Sequence, residues 1–330
     1  MLGRVLSRPF LCHVSAGRTE RSGPLFVSEG VRCGNMIFVF LLQKILRGMI
    51  VLTGDKGYNR NKKELFVIRH TFSLLNGIGE KLERSLWRKG ILSWDDFLRT
   101  EEIEGISPER KIGYDELLTR ASIELGMGNA RYFSRILKRR EHWRLFEAFG
   151  KDAVCLDIET NGLQPGAGGY ATVVGLYNGY DSRCLVRGEN LTVENLNREL
   201  EGYRCIITFY GAAFDVPFLL RTFPGVKFDI PHFDLCFTAR RLEMNGGLKK
   251  LELMLGIERH ESVRGMNGYD AVKLWEQAKR GSAEAMEMLL LYNQEDTKHL
   301  LKIAKVLYDK MKALSGIEEC IGANKVCGCT

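Results

Sequence analysis

The chain has 330 residues, 45% of them hydrophobic and 27% charged, the make-up of a globular protein able to bury a core of useful size in one large domain or two smaller ones. Its formal charge is +7, but residues 1–48 hold seven basic side chains against two acidic ones, so five of the excess charges sit there and two on the remainder. The overall charge therefore gives no argument for a polyanionic partner; only a local basic face would.

Residues 1–48 show little periodic pattern. The apolar run from Met36 to Leu42 is too short to span a bilayer and is followed by Lys44 and Arg47, so no membrane partner is expected. No small-residue cleavage site follows at the distance a secretory signal needs. The expectation is an unstructured or misassigned start, with Met49 as the functional beginning. A basic targeting peptide is the alternative.

From 49 to 149 the pattern is helical. ELFVIRHTFSLL carries apolar residues at helical spacing. SWDDFLR has Ser93 as a candidate N-cap. DELLTRASIEL and RYFSRILKRREHWRLFEAF continue the helical reading to Gly150. The run LKRREHWR is either a solvated face or the lining of a nucleic-acid entrance, and Trp87 and Trp94 are expected in the core.

At Val154 the period changes from helical to alternating. VCLDIE, ATVVGLYNG and SRCLVRG read as short strands, LTVENLNRELEGY as a helix capped by Thr192, and CIITFYG as another strand. FDVPFLLRTF, DLCFTARRLEM, LKKLELMLG, AVKLWEQAKRG and Ala283–Met311 read as helices. Strands followed by strand–helix alternation predict an α/β domain with a mixed sheet, here over 150–313, with a frayed tail at 314–330.

In VCLDIE, side-chain alternation puts Asp157 and Glu159 on one face, about 6–7 Å apart by the rise per residue. Two carboxylates that close in an apolar strand repel and resist desolvation, and a divalent cation between them removes both problems. A solvated strand end is the alternative. The last helix sharpens the choice. Leu289, Tyr292, Asp296, Leu300, Ile303 and Leu307 form one helical stripe in which Asp296 alone is charged. A carboxylate in a core-facing stripe needs a cation or an arginine partner. Lys298 and Lys302 lie off the stripe, so a shared cation is the favoured reading. Asp215, in FYGAAFDVPFLL, suits either a metal contact or a helix cap. Asp234 suits a cap, and His232 a packing role.

DIET at 157–160, FD at 214–215 and YNQED at 292–296 together resemble the three motifs of the DEDD exonucleases of the RNase H-like superfamily. Tyr292, four residues before Asp296, resembles the tyrosine subclass. FYGAAFDVPFL, HFDL and LKKLELMLGIER are similar to YprB-type stand-alone exonuclease domains over about residues 150–312. The resemblance implies an RNase H-like mixed sheet flanked by helices and a 3′–5′ exonuclease that hydrolyses single-stranded nucleic acid to 5′-mononucleotides. It implies two Mg²⁺ or Mn²⁺ ions held by Asp157, Glu159, Asp215 and Asp296, with Tyr292 orienting water and Thr160 contacting the strand. One departure is Tyr210, where that family often has asparagine before the glycine of the second motif.

LLNGIGEKLERSLWRKGI resembles a helix–hairpin–helix element. Gly77 and Gly79 permit a tight turn, and N–H groups at the next helix start, with Lys81, suit a phosphate. The same pattern suits a plain turn between packed helices. The nine cysteines include no CxxC and no zinc-type Cys–His spacing, which favours free thiols in a reducing, cytoplasmic setting. No small-molecule cofactor is expected.

Overall fold

The computed structural model describes residues 67–327, with side chains as far as Gly322, and these lie in one compact unit, Glu64–Thr330. The expectations for residues 1–66, Met49 and the Met36–Leu42 run among them, fall outside the described residues. No helix among the described residues is long and apolar enough to cross a membrane.

The helical half opens differently from its periodicity. The expected helix over 64–75 is, in its described part, a 3-10 turn, Val67–His70, followed by tight turns. Glu83 explains why. This fully buried carboxylate accepts from the N–H of Phe72 (2.6 Å) and Ser73 (3.1 Å) and from the Thr71 hydroxyl (2.7 Å), and a continuous helix would use those amides itself. Helices α1 (Glu80–Arg88), α2 (Trp94–Arg99), α3 (Pro108–Gly126) and α4 (Ala130–Ile136) follow. Ser93 caps α2 in a capping box with Asp96. The long helix expected from 131 to 149 breaks after α4 into a 3-10 segment, Arg139–Leu145, and a short α5, Phe146–Phe149. The break buries every residue from Glu141 to Phe146 and lets Arg144 pair with Glu83 and Glu141, each at 2.8 Å.

The α/β half begins with β1 (Ala153–Thr160), β2 (Ala171–Tyr177) and β3 (Ser182–Val186), an antiparallel meander. Helix α6 (Val193–Leu200), capped by Thr192, leads to β4 (Cys205–Thr208), and α7 (Asp215–Thr222) leads to β5 (His232–Asp234). Both added strands run parallel to β1, giving a mixed sheet in the order β3-β2-β1-β4-β5. The three-residue β5 is the strand that the sequence conceals: HFD is too short to show a period. Then come α8 (Leu235–Arg241), α9 (Leu248–Met254), α10 (Gly268–Lys279) and the 33-residue α11, Ala283–Ser315. Where a frayed end was expected, α12 spans Ile317–Cys327 and buries Ile317.

The sheet is covered on both faces. Val154, Leu156 and Ile158 pack under α6 and α7 with Leu196, Phe218 and Leu219. On the opposite face, Cys155, Cys205, Ile207 and Phe233 join Leu300, Ile303 and Leu307 of α11 in a cluster continuous with the helical half, including Trp87 and Trp94. This is the face that Asp157 and Glu159 share with Cys155, so the β1 alternation aims them at α11.

Candidate metal centre

Asp157, Glu159 and Asp296 each offer an oxygen, and these atoms lie within 4.8 Å of one another. Strand β1 supplies the first two from one face, and α11 crosses that face to supply the third. The close approach depends on Gly175. It pairs with Asp157 across β1 and β2 and with Cys184 across β2 and β3. A Cβ there would lie 1.9 Å from Asn293 Oδ1 and 3.0 Å from Thr297 Cγ2. The missing side chain is the space into which α11 inserts Asn293. The Asn293 amide then donates to Asp157 Oδ2 at 3.0 Å and to the Asp157 backbone carbonyl at 3.4 Å.

The cluster is electrostatically costly. Burial, then the charge of Asp296, pushes the Asp157 and Glu159 carboxyls well above their ordinary range. Burial raises Asp296 as well, against the opposing pull of Arg259. Oxygen-only donors in this crowding suit a hard divalent cation, which restores the charged form of all three.

The alternative of an arginine partner for Asp296 is realised. Asp296 has an arginine partner: Arg259 Nη2 donates to its Oδ1. Arg259 also holds Glu252 through two bonds, 2.6 and 2.7 Å, and Glu252 accepts from His299 Nδ1 at 2.9 Å. No donor among the described residues takes Asp296 Oδ2, so the pairing and a cation are compatible. Arg259 lies in the loop between α9 and α10, where no periodic pattern marks it.

Asp215 is not the N-cap. Phe214 holds that position without a side-chain bond, and Asp215 opens α7. Its Oδ1 accepts from the Ile158 N–H at 3.1 Å. That amide is available because β4 pairs with β1 only from Ala153 to Cys155. Asp215 lies outside the three-carboxylate group but near enough that its charge raises both Asp157 and Glu159. Burial pushes its own carboxyl up to about 7.

Tyr292 is buried on the same α11 stripe. Its hydroxyl accepts from Lys249 Nζ at 3.2 Å, leaving its own proton to donate. Burial and the three acids push the phenol above its ordinary value. Asp234 caps α8, accepting from the N–H of Cys236 and Phe237, and His232 is buried against Thr208 Oγ1 at 2.7 Å. Thr160 ends β1 and accepts from the Gly162 N–H at 3.2 Å, turned into its own loop. Gly77, at φ 83, and Gly79, the N-cap of α1, are exposed with Lys81, and no hydrogen bond or ion pair among the described residues links them to the carboxylates.

Asn293, Arg259, Lys249 and Gly175 escaped the sequence reading. Gly175 alone had a signal, a glycine inside a strand, which marks close backbone approach.

Residues 154–308 match the RNase_H_2 family model of the RNase H superfamily, and the mixed sheet flanked by helices is RNase H-like. That match supports a nuclease. A solved structure described as the apo form of the nuclease is 23% identical, covering 52% of this chain and 78% of that one, with a TM-score of 0.39. None of the curated proteins matches the chain.

Proposed function

We propose that this chain is a divalent-metal-dependent 3′–5′ exonuclease that removes 5′-mononucleotides from single-stranded nucleic acid. The observation that carries the reading is the meeting of Asp157, Glu159 and Asp296 from two distant segments within 4.8 Å. Order and identity of the acids support it too, since DIET, FD and YNQED occur in the sequence of motifs that the DEDD resemblance requires.

Asp157, Glu159 and Asp296 would hold the cation, with Asp215 contributing to a second. Divalent ions such as Mg²⁺ or Mn²⁺ would supply there the Lewis acidity and positive charge that phosphodiester hydrolysis needs. The remaining chemistry belongs to the side chains. Asn293 fixes the Asp157 carboxylate. Arg259 fixes one oxygen of Asp296 and leaves the other free to turn inward. Tyr292, its hydroxyl oriented by Lys249, donates to the attacking water or a non-bridging phosphate oxygen. Its raised pKa excludes it as a general base near neutrality. Gly77, Gly79 and Lys81 are proposed to contact a backbone phosphate at the start of α1, and Thr160 to touch the terminal nucleotide.

The test is a digestion panel of 5′- and 3′-labelled single strands of DNA and RNA, and circular single-stranded DNA, with and without Mn²⁺. The reading requires a metal-dependent ladder on the 5′-labelled strand, immediate release of the label from the 3′-labelled strand, and an uncut circle. A cut circle makes the protein an endonuclease and removes the proposal.

A further inference from the structure

Tyr210 has φ 67, a left-handed conformation that side-chain-bearing residues avoid. Its neighbours enforce it. The N–H groups of Tyr210 and Ala212 donate to the two oxygens of Asp234, at 3.1 and 2.8 Å. Gly211 N–H donates to Thr208 Oγ1 at 3.1 Å, and no Cβ fits at Gly211, because Thr208 side-chain atoms would lie 2.4–2.7 Å away. Strain held this firmly in a loop leading to Asp215 calls for a reason in the ring it displays.

The ring is 43% exposed, and beside it Phe237 of α8 is 41% exposed. Their centroids are 5.8 Å apart with planes at 37°. The Arg240 guanidinium lies 5.7 Å from one centroid and 5.4 Å from the other. Phe237 also borders a pocket of about 360 Å³ lined by Arg139, Arg140 and Arg241. Of the acids nearby, Glu141 is within ion-pair distance of Arg140 (3.3 Å) and Arg241 (3.5 Å), while both Asp234 oxygens are taken by backbone N–H groups. No carboxylate among the described residues pairs with Arg139 or Arg240. The surface is thus two exposed aromatics, a cation across them, and an adjoining concavity with excess positive charge. Unpaired bases offer π-faces to such rings, and phosphates match the arginines.

We propose that Tyr210, Phe237 and Arg240 form a base-stacking subsite for single-stranded nucleic acid, whose phosphates lie over Arg139, Arg140 and Arg241. It rests on the exonuclease reading only in taking the bound strand to be the substrate. The loop that carries Tyr210 runs directly into α7, whose first residue, Asp215, bonds the β1 amide between Asp157 and Glu159.

Tyr210→Gly makes a sharp test because glycine relieves the backbone strain while deleting the ring. Affinity is measured by fluorescence anisotropy in EDTA for a 12-mer of dT, a 12-mer of rU, and an abasic deoxyribose-phosphate 12-mer. Tyr210→Gly and Phe237→Ala are expected to bind the base-bearing strands about 5- to 150-fold more weakly and the abasic strand almost as the wild type does. Tyr210→Gly should melt no lower than the wild type. Arg139→Gln and Arg241→Gln should flatten the salt dependence for all three ligands. Unchanged affinity in both ring variants, or equal losses for abasic and base-bearing strands, overturns the subsite. A protein that digests oligonucleotides with Mn²⁺ while its affinity ignores both rings contradicts the subsite and leaves the exonuclease reading standing. Ring-dependent binding without metal-dependent digestion does the reverse.

Discussion

Arg259 grips Asp296 from a loop 37 residues earlier in the chain and anchors itself on Glu252. Its side chain is only 6% exposed, and both partners are buried. Breaking a buried ion pair by removing one partner leaves uncompensated charge and costs about 3–5 kcal/mol. Arg259→Met should lose stability on that scale in urea unfolding with EDTA present. Saturating Mn²⁺ should recover part of the loss, because the cation replaces the missing charge beside Asp296. Equal losses with and without Mn²⁺ would mean that Arg259 and the cation do not share a partner.

Gly175 and Asn293 form a second coupled pair. Gly175→Ala drives a methyl into the Asn293 carboxamide and should destabilise by about 1–3 kcal/mol. In an Asn293→Ala background the same substitution should cost clearly less, since the obstructing oxygen is gone. A double-mutant cycle reads the coupling. Additive effects would place the Gly175 constraint elsewhere, with Thr297 the next atom group in line.

Metal stabilisation should depend on pH with a definite sign. The Asp157 and Glu159 carboxyls are held above their ordinary range and Asp215 at about 7. A carboxyl raised on folding contributes stability that is complete below its unfolded value, about pH 4, and lost as pH rises through the folded value. The metal-free protein is therefore penalised by these acids toward neutrality, and for Asp215 the loss is complete a little above pH 7. A cation that binds the ionised forms reverses the penalty. The rise in Tm on adding Mn²⁺ should be small at about pH 5 and large at about pH 8. His142 and His232, depressed by burial to about 4 and about 3, destabilise the fold in acid whether or not Mn²⁺ is present, so they cancel in the difference. An increment independent of pH would contradict the assignment.

Tyr292→Phe should keep the fold and KM and lower kcat by about 10²-fold. The shape of its pH profile should match the wild type, because a phenol this far above its ordinary value does not titrate in the working range. A lost limb in that profile would make Tyr292 a titrating base.

The RNase H-like half was legible because its elements announce themselves by period: alternation through VCLDIE, then the α11 stripe. Asp296 was legible for the same reason, a single acid where the pattern demands apolar residues. What stayed hidden is what the pattern cannot encode. Arg259 approaches Asp296 from an aperiodic loop. Strand β5 is too short to alternate, and the 131–149 helix breaks into a 3-10 path along which Arg144 pairs with Glu141 and the distant Glu83. Asn293 sits one position from Tyr292 at the edge of the stripe, and only its close packing on Gly175 and bond to Asp157 show what it serves.

The proposed hydrolysis requires a divalent cation held by Asp157, Glu159 and Asp296. Its most direct test is the digestion of a 5′-labelled single-stranded oligonucleotide by the wild type and by Asp157→Asn, at matched Tm, across a Mn²⁺ titration. The wild type should give a ladder that grows with Mn²⁺, and Asp157→Asn should leave the strand intact. Equal digestion by the two proteins, or a wild type inert at every Mn²⁺ and Mg²⁺ concentration, would contradict it.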